Sequence, residues 1–76
     1  MSFCVGDLLQ ARSKTRVGVV RIYTDDECFL WESHVRKGET FVLLGEHQNQ
    51  WNQDVCKVLF PRGIRWVYRL DVEVVE

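Results

Sequence analysis

The chain has 76 residues, a net charge of −1 and 46% apolar residues. This length holds one domain, residues 1 to 76, with a single small core and no room for a large enclosed pocket, and the apolar content excludes a disordered chain. The opening MSFCVGDLL has neither the basic nor the apolar region of a signal peptide, and no apolar run is long enough to cross a bilayer. A soluble, cytoplasmic protein with no membrane partner is expected.

β-branched and aromatic residues dominate, and no stretch sustains a helical apolar period, so the expected class is mainly β. In chain order, strands are expected near Val5–Ala11, Val17–Thr24, Cys28–Glu32, Thr40–Glu46, Val55–Phe60, Ile64–Tyr68 and Val72–Val75. TDDE after Tyr23 turns the chain through Asp side chains that bond back to nearby amides. PRG at 61 to 63 turns it through a fixed proline φ and a permissive glycine. SHVRKGE and HQNQWNQD, residues 33 to 39 and 47 to 54, read as surface loops. RLD after Tyr68 is too short for a helix yet interrupts the alternation, which fits one 3₁₀ turn before a closing strand.

Three stretches carry a resemblance: VGDLLQAR at 5 to 12, RVGVVRIY at 16 to 23 and CKVLFPRGIRWVYRLDVEVV at 56 to 75. Their order, together with the Trp66-Val67 step, resembles the small SH3-like β-barrels of bacterial SH3-type domains and of short uncharacterised tailed-phage proteins. About half of the chain is covered. The resemblance implies a single SH3-like barrel, with residues 27 to 53 supplying an extra or lengthened strand pair. In another register, KGETFVLLGE is itself a core strand and Trp51 begins the next arm. The family also implies binding rather than catalysis, with peptides, cell-wall peptides or nucleic acids as ligands, and fold alone does not choose among them.

The residues themselves argue against an enzyme. The only histidines, His34 and His47, fall in polar loops, and no catalytic signature surrounds any cysteine. Cys28 with His34, or Cys56 with His47, can be drawn as a thiolate pair, but an exposed loop histidine is the ordinary reading. Neither C-x₂₋₄-C nor H-x₃₋₅-H spacing occurs, so no structural zinc site and no cofactor is expected. Cys4, Cys28 and Cys56 are odd in number and embedded in apolar runs, which predicts reduced, buried thiols.

Two binding chemistries remain. Three tryptophans in so short a chain suit a protein or peptide contact, because large rigid rings give contact area at low entropic cost. Trp51, Trp66 and Tyr68 are the candidate aromatics. Trp51, set among Gln and Asn, is expected on the surface; Trp66 is as suited to the core as to a groove wall. The alternative is nucleic acid. Residues 8 to 24 hold Arg12, Lys14, Arg16 and Arg21, residues 55 to 70 hold Lys57, Arg62, Arg65 and Arg69, and neither segment contains an acid. On adjacent strands, Arg21, Lys57 and Arg65 are expected to share a sheet face near stacking aromatics, as single-strand binding surfaces do. Solvated strands also carry such charges simply to stay soluble and to avoid edge pairing. The acids Asp25, Asp26, Glu27, Glu32, Glu39 and Glu46 surround the extra strand pair. Open strands at Cys28–Glu32 or Thr40–Glu46 would permit a homodimer.

Overall fold

A computed structural model describes residues 3–12, 19–36 and 38–76. It contains seven strands, β1 Leu8–Ala11, β2 Arg21–Tyr23, β3 Trp31–His34, β4 Thr40–Gln48, β5 Asp54–Phe60, β6 Gly63–Tyr68 and β7 Val72–Val74, with a 3₁₀ turn, Arg69–Asp71, between the last two. All belong to one antiparallel sheet in the order β3-β2-β6-β5-β4-β1-β7. The class is therefore mainly β. The sheet is open: among the described residues no pairing joins β3 to β7, so a closed barrel is not what the hydrogen bonding defines.

Local chemistry explains most element ends. Pro61 and Arg62 form the turn between β5 and β6, and Gly63 follows at φ 120°, a conformation that a side chain would strain. The 3₁₀ turn falls where RLD breaks the alternation. The TDDE turn is larger than its sequence suggests. Asp25 Oδ1 accepts Phe29 N–H at 3.1 Å and Oδ2 accepts Leu30 N–H at 2.7 Å, so the carboxylate organises a loop that runs to residue 30. Cys28 lies inside that loop at φ 58°. A strand at Cys28–Glu32 is accordingly corrected to Trp31–His34, and Ser33 and His34 move from the expected loop into β3. At the other end of the chain Gly6 sits at φ 94° in a turn, so β1 begins at Leu8 rather than Val5. The expected start of the second strand at Val17 lies outside the described residues.

The expected neighbours β2, β6 and β5 are indeed adjacent. Thr40–Gln48 is an inner strand flanked by β1 and β5, which corrects the idea that it offers an open edge. Edges belong to β3 and β7.

Two clusters lie on the two faces of the sheet. Leu9, Val20, Ile22, Phe41, Leu43, Cys56, Val58, Phe60, Val67 and Val72 form the main core. Phe41 and Phe60 stack with centroids 4.5 Å apart. Each fully buried aliphatic or Phe contributes about 1.5–3 kcal/mol, so this cluster is the chief source of stability. Because successive strand residues face opposite sides, Val55, Trp66 and Tyr68 face away from Cys56 and Val67. They form a second, smaller cluster with Tyr23 and Cys28, beneath the loop between β2 and β3.

Candidate functional site

The second cluster floors a surface that carries two depressions. Tyr23 from β2 and Tyr68 from the end of β6 meet edge to face, centroids 5.5 Å apart and planes at 78°. The Tyr68 hydroxyl donates to Gln53 Oε1 at 3.3 Å. Burial raises the pKa of both phenols, and for Tyr23 a hydrogen bond with the Arg21 side chain pulls the other way. Both hydroxyls therefore stay protonated and serve as hydrogen-bonding groups.

On one side of Tyr68 runs an open groove of about 580 Å³, walled by Arg21, Tyr23 and Val19, by Asn52–Asp54, and by Leu70 and Asp71 of the 3₁₀ turn. On the other side a shallower depression of about 370 Å³ lies between Phe29 and Trp51, with Glu27, Cys28 and Gln53. Tyr68 and Gln53 line both.

Two loops shape this surface and are tied together. Asn49 is buried within the β4–β5 loop: its Oδ1 accepts the Trp51 and Gln53 amides, and its Nδ2 donates to Gln53 Oε1 and to the Glu27 carbonyl. Glu27 Oε2 in turn accepts Gln50 N–H at 3.1 Å. Thus the loop expected over residues 47 to 54 shrinks to residues 49 to 53, internally braced, because His47 and Gln48 extend β4 and Asp54 opens β5. Phe29, Leu30 and Trp51 project from these loops, each more than half exposed.

Of the aromatic candidates, Trp51 is on the surface as expected, and Tyr68 stands between the two depressions. Trp66 packs under them against the second cluster, its Nε1 buried without a hydrogen-bond partner among the described residues. It supports the site and lines neither depression.

The basic candidates do not converge. Register places Lys57 opposite Trp66 and Arg65 opposite Val58. Directly paired residues share a face and neighbours alternate, so Lys57 and Arg65 point to opposite faces, and the expectation of a common face is corrected. Arg65 Nε instead donates to Glu32 Oε2 at 2.7 Å, which holds the Glu32 carboxyl below its usual range. Arg21 lies 5.0 Å over the Trp31 ring, which also stacks on His34. Arg62 pairs with Glu39 at 3.8 Å and Arg69 with Glu46 at 2.8 Å. Three cations of the second acid-free segment, Arg62, Arg65 and Arg69, are thus paired with acids from elsewhere in the chain. Lys14 and Arg16 lie outside the described residues.

Comparisons with family models, with curated proteins and with solved structures find no match.

The thiols divide unevenly. Cys28 and Cys56 are buried, and desolvation with nearby carboxylates pushes both pKa values up to about 12. Cys4 is exposed, which corrects the expectation that all three are buried; its sequence neighbours are apolar, but Val5 and Gly6 form a surface turn. Among the described residues neither buried thiol bonds an imidazole, and no group of three His, Cys, Asp or Glu is placed to hold a metal ion. No described helix is long and apolar enough to cross a membrane.

The sequence reading missed Asp71, Leu70 and Phe29 as surface components and Asn49 as the loop brace. The one available signal was the 3₁₀ turn: it implies that Leu70 and Asp71 are displayed next to Tyr68.

Proposed function

We propose that the chain is a non-catalytic docking module with SH3-like topology that binds an extended segment of a partner protein. The topological part rests on the strand order β7-β1-β4-β5-β6, followed by a hairpin beyond β6, and on the 3₁₀ turn before the last strand. The functional part rests on one observation: Tyr68 stands between two adjoining depressions walled by braced loops. Such a surface receives consecutive side chains of an extended segment on either side of a rigid ring, and a preorganised aromatic contact loses little entropy on binding.

Nucleic acid is the less favoured reading. Arg62, Arg65 and Arg69 already hold carboxylates, and a phosphate would have to displace them. The experiment is binding of the full chain to a displayed library of short random peptides and to a single-stranded oligonucleotide, at low and high salt. Peptide binding that persists at high salt and is lost in Tyr68→Ala supports docking. Oligonucleotide binding that falls steeply with salt, without peptide binding, overturns it.

A further inference from the structure

The polar lining of the larger groove is unbalanced. Its cation, Arg21, is engaged with the Trp31 ring and the Tyr23 side chain. Asp54 accepts a hydrogen bond from Gln48 Nε2 at 3.2 Å. The carboxylate of Asp71, half-buried in the groove wall, makes no hydrogen bond or ion pair among the described residues, although its main-chain carbonyl is held by Arg12 N–H at 2.9 Å. The Arg12 guanidinium donates to the Leu70 carbonyl, not to this carboxylate. A native fold seldom leaves a half-buried charge beside two aromatic rings without a partner, because desolvation is uncompensated there.

Resting on the docking reading, we infer that the docked segment carries a Lys or Arg side chain, which Asp71 receives beside the Tyr23–Tyr68 ring pair. Carboxylate and ring face both attract a cation, and in a partly desolvated groove the two contributions reinforce each other. Burial raises the pKa of Asp71 and outweighs the opposing charge of Arg12, as expected of a carboxylate with no direct ion pair. Groove shape defines an extended ligand, and Asp71 adds the requirement for positive charge at one position.

The test is selection of displayed random peptides on the full chain, followed by synthesis of the selected peptides. The expected result is a Lys or Arg at a fixed position. Binding should weaken about tenfold in Asp71→Asn, and equally when that Lys or Arg is changed to Ala. The two changes together should cost no more than either alone. Asp71→Glu should retain binding, and a thermal midpoint of the variants no lower than the parent's excludes misfolding as the cause. Selected peptides with no common basic residue, or equal binding by Asp71→Asn where Tyr68→Ala abolishes it, overturn the inference while leaving the docking reading intact. Failure to select any peptide, or selected peptides indifferent to Tyr68→Ala, removes the docking reading and this inference with it. Self-association of the chain that is blocked by Tyr68→Ala places a second copy in the groove and also overturns the inference.

Discussion

Tyr23 and Tyr68 meet edge to face with ring planes at 78°, although 45 positions separate them in the chain. Pairing of Tyr23 with Trp66 across β2 and β6 brings them together. The ring of Tyr68 is thereby fixed between the two depressions, so its removal should affect binding more than folding. Tyr68→Ala is expected to weaken peptide binding by about 2 kcal/mol or more, as central interface aromatics do. Tyr68→Phe loses only the 3.3 Å bond to Gln53 and should cost about 1 kcal/mol or less. Titration calorimetry of both variants against one selected peptide checks the ratio; equal losses would point to the hydroxyl rather than the ring.

Trp66 combines a well-packed ring with an orphaned donor. Its Nε1 is buried without a partner among the described residues, which costs about 1–3 kcal/mol. Trp66→Phe removes that donor and leaves a smaller ring against Val55 and Tyr68, so the two effects oppose. Denaturant unfolding should place Trp66→Phe within about 1 kcal/mol of the parent, whereas Trp66→Ala should lose on the order of 3 kcal/mol as a large-to-small substitution. A Trp66→Phe loss as large as that of Trp66→Ala would show that the indole nitrogen has a partner after all.

The sequence made the elements more legible than their relations. Alternation over 54 to 60 and 63 to 68, the PRG turn and RLD each gave nearly correct boundaries, because these are local signals. The third strand was displaced because one side chain, Asp25, caps two amides four and five residues on; nothing in TDDE tells a tight turn from this longer loop. The basic face failed for a different reason. A shift of one position decides whether Arg65 stands with Lys57 or opposite Val58, and that register is set by the turn geometry and the core. Likewise, Glu32 reaches Arg65 from a strand 33 positions away. Reversing Arg21, Lys57 and Arg65 to Glu is therefore not a neutral surface change: it breaks the Glu32 pair and the Arg21–Trp31 contact, and should lower the thermal midpoint.

Two acids with opposite shifts give opposite pH signatures. Burial raises Asp71 above its unfolded value, so its ionisation opposes folding. The stability associated with the neutral form is present below the unfolded pKa, about 3.9, and is lost as pH rises through the folded value. Asp71→Asn should accordingly raise the thermal midpoint at pH 7 and give no advantage in acid below that unfolded value. Glu32 behaves the other way. The Arg65 hydrogen bond lowers its pKa, so its contribution is present above the unfolded value and disappears as pH falls through the folded one. Glu32→Gln should lower the midpoint at pH 7 and lose its effect in acid. Melting curves across that window, with parent and both variants side by side, check the signs; an Asp71→Asn midpoint below the parent at pH 7 would show that the carboxylate already has a counter-charge.

The three thiols should differ in kinetics, not merely in degree. Reaction with a disulfide reagent requires both thiolate and access. Cys28 and Cys56 offer neither in the folded state: both are buried, and a pKa pushed up to about 12 leaves almost no thiolate at neutral pH. Cys56 sits in the main core with Val67 opposite it, whereas Cys28 is itself a residue of the loop between β2 and β3, so opening of that loop alone is expected to expose it. Local opening needs less free energy than global unfolding. Titration with a chromogenic disulfide at neutral pH should therefore show one fast thiol, removed by Cys4→Ser, then Cys28, and last Cys56 at the rate of global unfolding. Asp25→Ala, which frees the Phe29 and Leu30 amides and loosens the loop, should accelerate Cys28 selectively. If Cys56 reacts as fast as Cys28 in that variant, the second cluster does not open independently of the main core.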